Sequence, residues 1–323
     1  MKVIFLGTPN FARYVLDKLY NSKHEVVAVV TQPDKKSGRG NKFNYSPVKQ
    51  YALERDIRIL QFRNIKKNES IEELKSIDAD IMVTCAYGQI LSQEVIDVKN
   101  FGVINTHASI LPKYRGAAPI HWAIIKGEKE TGVSIMQTDI GMDTGDVILT
   151  KKINIEDIDT TGSLTEKLMD LSANALIEAL DSIESRNAKF YSQDHANATH
   201  YPMLKKNDGY INFNNNSLDI INFVRGVNPW PCAFTFIKGN YIKIHRATIV
   251  DINDIEPENH LNGEIVYANS KKGLIIKVND GFIRLNIVQG QGLKKMRDID
   301  YINGHKVPIG FVLGRDDEQK PIF

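Results

Sequence analysis

An amide, an imidazole and a carboxylate occur in this chain at spacings that could bring them to one point. Asn105 and His107 are two residues apart at the end of a strand-like run, so their side chains point to the same side. Asp143 lies in the glycine-containing segment 139–146, directly after the strand-like run Thr131–Gln137. From there its carboxylate could hold the tautomer of His107 and stabilise an imidazolium.

Each pattern also has a plainer interpretation. A histidine beside a strand end is more often structural than catalytic, and a segment rich in Gly and Asp is often only a tight turn. On residue types alone, both interpretations of Asn105, His107 and Asp143 stay open.

Alternating strand and helix patterns in the first half predict the elements that position these residues. Alternation of this kind predicts an α/β fold, a Rossmann-like and mostly parallel sheet covered by helices. We expect the Asp143 loop at the same carboxyl edge of the sheet as Asn105 and His107. The predicted strands are Lys2–Leu6, Glu25–Thr31, Asp80–Ala86, Gly102–Asn105 and Thr131–Gln137. The predicted helices begin at Pro9, capped by Thr8, and at Pro47, capped by Ser46, and span Ala118–Lys126 and Leu164–Ile183.

The first turn of this sheet does not carry a dinucleotide-binding motif. Gly7 is followed by Pro9 where a second glycine would stand, and proline has no N–H for a pyrophosphate. The sequence therefore disfavours an NAD-dependent enzyme.

The second half of the sequence has a different pattern of predicted elements. A helix is predicted at Ser217–Val227, and short strand-like runs separated by Gly, Asn and Asp follow it, which is typical of a small OB-like β-barrel. We expect a first domain at residues 1–189, a linker at 190–208 and the OB-like domain at 209–323. Trp230 is expected in the core of that second domain.

Composition restricts the class of protein. The 323 residues are 42% hydrophobic and 25% charged with a net charge of +2, values of an ordinary soluble globular protein. No apolar run approaches the roughly 20 residues of a membrane span. Cys85 and Cys232 are the only cysteines and have no metal-ligand spacing. We expect a cytoplasmic protein, a monomer, without a metal.

The segment 105–119 resembles a known family. Its pattern N-x-H-x-S-I-L-P-x-Y-R-G, followed by D-x-G-x-D at 139–143, is similar to that of the folate-dependent formyltransferases. The similarity runs over nearly the whole chain. The sequence Arg-Gly-Ala-Ala-Pro-Ile at 115–120 and the two-domain length look most like members that act on aminoacylated tRNA.

This resemblance implies the site and the reactants. The family's catalytic Asn, His and Asp fall on Asn105, His107 and Asp143. It implies 10-formyltetrahydrofolate as formyl donor and methionine carried on initiator tRNA as acceptor, with an amine attacking the formyl carbon and Asn105 and His107 donating to the oxyanion. The implied folate-binding residues are Tyr87, Gly88, Ile90, Leu91, Ser109, Ile110, Leu111, Pro112, Asp139 and Gly141. Two departures from the pattern, Ile110 for Leu and Cys232 for Gly, do not touch the chemistry.

Basic clusters are the candidates for the tRNA contacts. The segment 35–42 has four basic residues and no acid, and it resembles the family's inserted loop that reaches the acceptor stem, although an isolated basic run is more often a solvated loop. The candidate tRNA-binding residues are Lys35, Lys36, Arg39, Lys42, Lys205, Lys206, Lys294, Lys295 and Arg297.

Three other functions remain as alternatives. The first is formylation of an amino sugar linked to a nucleotide, the second is hydrolysis of formylfolate, and the third is RNA binding without catalysis. The basic segment 35–42 and Ala117 favour tRNA over the amino sugar. The intact Asn105, His107 and Asp143 disfavour a purely RNA-binding protein.

Overall fold

The computed structural model describes residues 1–37 and 42–314. The chain divides into two compact units. The first comprises Met1–Pro119, Glu130–Asn154 and Thr165–Tyr201, and the second comprises Ile120–Lys129, Ile155–Leu164 and Pro202–Phe323. Of the proposed linker 190–208, residues 190–201 therefore lie within the first unit. Among the described residues, no helix has the length and apolar character that crossing a membrane requires.

The first unit alternates strands with helices. Its strands are β1 (Lys2–Gly7), β2 (Glu25–Val30), β3 (Lys35–Ser37), β4 (Lys42–Asn44), β5 (Arg58–Leu60), β6 (Ile81–Cys85), β7 (Val103–His107), β8 (Arg115–Gly116), β9 (Glu130–Gln137), β10 (Val147–Asn154) and β11 (His200–Tyr201). The helices in this part of the chain are α1 (Asn10–Tyr20), α2 (Pro47–Leu53), α3 (Asn68–Lys75), α4 (Gln93–Ile96), α5 (Pro119–Ile125) and α6 (Thr161–Glu184), of which α5 and α6 run through both units.

A seven-stranded sheet in the order β10-β9-β7-β6-β1-β2-β5 forms the centre of the first unit. The five strands from β7 to β5 are parallel, which confirms the mostly parallel Rossmann-like sheet. Strands β1 and β6 are buried almost throughout, as expected of parallel strands covered on both faces. The core on one face includes Ile4, Leu6, Ala28 and Val30, packed with residues of α3 and α4.

The direction of β9 differs from the prediction. It runs antiparallel to β7, with Gln137 opposite Ile104 and Ser134 opposite His107. The end of β9 therefore lies beside the start of β7, and the Asp143 loop does not leave the sheet at the carboxyl edge. The prediction was wrong because hydrophobic periodicity gives no strand direction. Asp143 approaches Asn105 and His107 from the other end of the strand.

The two predicted helix caps behave differently. Ser46 accepts a hydrogen bond from the Lys49 N–H at 3.1 Å and Pro47 occupies the first helical position, as predicted. Thr8 does not cap α1, whose N-cap is Pro9 without a side-chain hydrogen bond. The Thr8 hydroxyl instead donates to the carbonyl oxygen of Tyr87 at 3.0 Å and so ties the first turn to the end of β6.

The second unit is built on an antiparallel sheet. Its strand order is β12-β13-β16-β15-β14, with β17 also paired to β16. The described residues show no pairing between β12 and β14, so this sheet path is open and a closed barrel is not observed. The elements are α7 (Ser217–Gly226), β12 (Ala233–Ile237), β13 (Asn240–Val250), β14 (Ile265–Asn269), β15 (Gly273–Val278), β16 (Gly281–Gly290), β17 (Met296–Arg297) and α8 (Asp298–Gly304).

Trp230 does not lie in the core of this unit. Its side chain is 50% exposed in the segment between α7 and β12, so the prediction of a core position was wrong. Two prolines flank Trp230, and the nearby Cys232 is buried instead.

Candidate active site

The last residues of β7 place an amide and an imidazole on one side of the sheet. Asn105 is half-buried and His107 is buried. The hydroxyl of Thr84, which is the neighbour of Asn105 in β6, donates to the Asn105 Oδ1 at 2.8 Å. Because this bond occupies the oxygen, it fixes which way the Asn105 amide points. The Nδ2 group faces Asp143.

The two ring nitrogens of His107 have different partners. Nε2 is 2.9 Å from the carbonyl oxygen of Tyr114, which can only accept, so Nε2 carries a proton. Nδ1 lies 3.6 Å from Asp143 Oδ1, longer than a normal hydrogen bond. Nδ1 is therefore the ring atom that can serve a reacting group.

Asp143 completes the group from the segment between β9 and β10. Its Oδ1 is 3.5 Å from Asn105 Nδ2, and its Oδ2 accepts the Gly116 N–H at 2.8 Å. The carboxylate side chain is 14% exposed. Asp143 has a φ of +55° and Tyr114 a φ of +58°, backbone conformations that are rare for residues with a Cβ. Strain of this kind is typical of functional sites.

The structure thus brings together all three predicted catalytic residues. An amide N–H, an imidazole ring nitrogen and a carboxylate converge at one point, where a carbonyl oxygen could become negative. Cys85, at the end of β6, is not a candidate nucleophile, because burial raises the pKa of its thiol to about 12. The arrangement suits a reaction in which the substrate itself supplies the nucleophile.

The predicted folate residues of the segment 86–91 lie in two environments. Tyr87 and Leu91 are part of the hydrophobic core, and burial raises the pKa of the Tyr87 hydroxyl well above its usual range. Gly88 has a φ of +92°, and Ile90 is 65% exposed. The Ile90 side chain is therefore free to contact a ligand, whereas the Tyr87 and Leu91 side chains pack in the core and hold the backbone of this segment in place.

The second predicted folate segment follows directly after His107. Ser109 is fully buried and donates to the Lys113 carbonyl at 2.7 Å, and the Leu111 N–H donates to Ser134 at 3.2 Å. Ile110 and Pro112 are half-buried. These bonds fix a tight turn beside His107.

The third predicted folate segment is the start of the Asp143 loop. Asp139 accepts from the Gly141 N–H at 3.0 Å and from the Thr144 hydroxyl at 2.6 Å. A Cβ on Gly141 would lie 1.9 Å from the Thr144 oxygen and would displace the side chain that bonds to Asp139. Asp139 therefore shapes the loop from within, and the flanking Ile140 and Met142 are exposed.

The predicted tRNA-binding residues are mostly on the surface. Lys35 is exposed on β3, and Lys36 and Lys42 lie on the paired strands β3 and β4. Arg39 falls outside the described residues. Lys205, Lys206, Lys294 and Lys295 are exposed. Arg297 is exposed but makes a two-bond ion pair with Asp300, at 2.9 and 3.0 Å.

Sequence reasoning did not single out four residues that hold the site: Thr84, Arg115, Gly116 and Gln193. Thr84 could have been found from its place at the end of the preceding parallel strand. Arg115 and Gly116 stand in the recognised motif but without an assigned role. No sequence pattern pointed to Gln193, because it lies in a polar stretch without hydrophobic periodicity.

Among the described residues, one group has side chains placed to ligate a metal, His24, Asp181 and Glu184. Both carboxylates already pair with Lys23, at 3.0 and 3.5 Å. Such pairing is typical of a structural ion-pair cluster.

Comparison with known proteins gives concordant similarities. Residues 1–180 match the formyl transferase family, and residues 203–306 match the formyl transferase C-terminal domain. The methionyl-tRNA formyltransferase of Acetivibrio thermocellus is 44% identical over 98% of this chain and 100% of that protein. Its counterpart from Ruminiclostridium cellulolyticum is 42% identical over the same shares. WlaRD, a sugar 3N-formyl transferase crystallised with dTDP and 5-N-formyl-THF, is 22% identical with a TM-score of 0.67, covering 91% of this chain and 99% of that one.

Proposed function

The chain belongs to the formyl transferase family, and we propose that it transfers the formyl group of 10-formyltetrahydrofolate to the amino group of methionine on initiator tRNA. Relatives that carry this activity in their name are similar over nearly their whole length. The observation that carries the chemistry is the approach of Asp143 Oδ1 to both Asn105 Nδ2 and His107 Nδ1, at 3.5 and 3.6 Å.

Asn105 and His107 stabilise the oxyanion of the tetrahedral intermediate. The methionine amine attacks the formyl carbon, and the carbonyl oxygen becomes negative. Asn105 Nδ2–H donates to this oxygen, and so does Nδ1–H of a doubly protonated His107 ring. Donors of this kind are worth roughly 2.7–4 kcal/mol each in other enzymes. Because Tyr114 holds Nε2, the ring cannot rotate away from this task.

Asp143 has two roles. Its charge stabilises the His107 imidazolium, and with a water it carries the proton that the attacking amine loses toward the departing folate nitrogen. The bond from the formyl carbon to that nitrogen then breaks. No residue of the chain forms a covalent bond with the formyl group. Its anchor on the Gly116 N–H keeps one carboxylate oxygen fixed while the other serves the reaction.

Folate binds along the segments 86–91, 109–112 and 139–142. Their turns combine fixed backbone with exposed apolar side chains, Ile90 at 65%, Ile140 at 70% and Met142 at 57% exposure. Apolar side chains around a few fixed polar groups are typical of sites for flat heteroaromatic ligands. WlaRD, whose fold is similar, was crystallised with 5-N-formyl-THF, which supports folate as the donor.

The tRNA contacts belong to basic residues, of which Lys35, Lys205, Lys206, Lys294 and Lys295 are exposed. The segment 35–42 reaches the acceptor stem, with Arg39 as its central residue, and Lys205, Lys206, Lys294 and Lys295 contact phosphates. Arg297 contributes less, because Asp300 neutralises it. The second unit, for which we propose an OB-like fold, carries five of these residues: Lys205, Lys206, Lys294, Lys295 and Arg297.

The experiment that tests this function compares acceptors of different classes. The chain is given labelled 10-formyltetrahydrofolate with methionyl initiator tRNA, with an amino-sugar nucleotide, or with water alone. We expect label on the tRNA only. Transfer to the amino sugar in preference to tRNA, or release of formate as the main product, would overturn the proposal in favour of one of the two other enzymes.

A further inference from the structure

Gln193 holds the backbone of the loop at Asp143 and at Gly145, two residues further along the chain. Its Nε2 donates to the carbonyl oxygen of Asp143 at 2.9 Å and to that of Gly145 at 2.7 Å. The side chain is 8% exposed and uses both amide protons. The amide thus holds the backbone of the loop at the residue that has a positive φ.

The other end of this amide is held by a buried arginine. Gln193 Oε1 accepts from Arg115 Nη2 at 2.7 Å and from Nε at 3.2 Å, and Arg115 is 3% exposed. A guanidinium only donates and a carbonyl only accepts, so the orientation of the Gln193 amide is unambiguous. Arg115 directly precedes Gly116, whose N–H donates to Asp143 Oδ2.

We infer that Gln193 and Arg115 are positioning residues of the transfer reaction, which set the place of the Asp143 carboxylate relative to His107. Without this bridge the loop loses its two amide donors, and the separation of 3.6 Å between Asp143 Oδ1 and His107 Nδ1 is no longer fixed. Displacements of about 1 Å at a reacting group can cost roughly 100-fold in rate. The inference rests on the proposed function and adds to it two residues, Gln193 and Arg115, that hold Asp143 in place.

The test uses Gln193→Glu, which keeps an acceptor for Arg115 and removes both donors to the loop. We expect the kcat of formyl transfer to fall roughly 10- to 100-fold with the KM of both substrates nearly unchanged, and the unfolding midpoint to fall because two buried carbonyl oxygens lose their donors. Gln193→Met, which adds no charge, has the same expected result and serves if the first variant does not fold. Asn222→Asp is the matched control, since Asn222 is also buried and accepts from Arg225 at 2.7 Å in the second unit.

A double-mutant cycle separates this role from a merely structural one. If Gln193 acts through Asp143, Gln193→Glu has no further effect on kcat in the Asp143→Asn background. Multiplicative losses, an unchanged kcat in folded Gln193→Glu and Gln193→Met, or an equal loss in Asn222→Asp would overturn the inference. Absence of formyl transfer by the unchanged chain would instead overturn the proposed function.

Discussion

At the scale of single residues, catalysis in this account depends on hydrogen-bond donors already in place before the oxyanion forms. Asn105 is oriented by Thr84, and His107 is oriented by the carbonyl oxygen of Tyr114. Preorganised donors of this kind need no rearrangement during the reaction, which is why they are effective. Substituting these two residues and substituting the residues that orient them should therefore lower kcat by different amounts.

Removing either donor should affect the chemical step. We expect Asn105→Ala and His107→Ala each to lower kcat roughly 100- to 1000-fold, because each removes an interaction with the oxyanion. Single-turnover transfer with saturating substrates measures this. A loss that appears only in KM would mean that these side chains bind substrate without stabilising the transition state.

Removing the support of Asn105 should have a smaller effect in the same direction. Thr84→Val keeps the shape and removes the hydroxyl that holds Asn105 Oδ1. We expect kcat to fall about fivefold, since one hydrogen bond of roughly 1 kcal/mol orients the amide. Thr235→Val is the control, because Thr235 is fully buried and its hydroxyl has no hydrogen-bond partner in the described structure. Equal activity in the two variants would contradict the role of Thr84.

At the scale of elements, the site depends on a close approach between β8 and β11. A Cβ on Gly116 would lie 2.6 Å from the Tyr201 carbonyl oxygen, and Gly116 has a φ of +104°. We expect Gly116→Ala to lower the free energy of unfolding by about 2–4 kcal/mol, from backbone strain and from the clash together. Urea unfolding of purified variants measures this loss.

Gly239→Ala separates the two causes. Gly239 has a φ of +75° but no atom within 4 Å of its added Cβ, so only the strain of about 1 kcal/mol applies. Losses of the same size in both variants would show that the approach of β11 does not constrain Gly116.

Most elements were predictable from the sequence, and the exceptions have physical causes. Apolar runs such as Val3–Leu6 are buried strands. Of the apolar positions Leu168, Leu171, Ala175 and Leu176 on one face of α6, all are buried except Leu171, which is half-buried. The antiparallel direction of β9 was not predictable, because a single strand pattern is the same in both directions. Thr8 has the composition of a cap, but a tertiary contact with Tyr87 uses its hydroxyl.

The site was predictable only in part. Asn105, His107 and Asp143 carry a local pattern, and the structure brings them together. Gln193 carries none, because its function comes from two backbone carbonyls that are about 50 residues away in sequence. Contacts to backbone leave no trace in residue types, so a polar stretch without periodicity was interpreted as linker.

At the scale of the whole molecule, binding of a large RNA requires charges that are not already neutralised. Lys294 and Lys295 are exposed, whereas Arg297 is paired with Asp300. We expect Lys294→Ala or Lys295→Ala to raise the KM for tRNA. Each should also make the slope of log affinity against log salt concentration shallower by about one unit, with a smaller effect for Arg297→Ala. Titrations at several salt concentrations measure this, and Lys271→Ala, another exposed lysine of the second unit, is the control. A uniform effect of all four changes would show a non-specific response to charge.

Arg39 makes a complementary prediction. We expect Arg39→Ala to weaken the use of tRNA while leaving transfer to a small amine substrate nearly unchanged, because its proposed contact is with the acceptor stem. Parallel assays with both acceptors measure this. A greater loss with the small amine would refute the assignment.

The most direct test of the account is a comparison of acceptors that differ only in the RNA. With 10-formyltetrahydrofolate as donor, the initial rate is measured for methionine on initiator tRNA, for methionine on elongator tRNA and for free methionine. We expect efficient formylation of the first alone, because contacts with a remote part of the substrate contribute to the rate of the chemical step. Equal rates for free methionine and for methionyl initiator tRNA would contradict it.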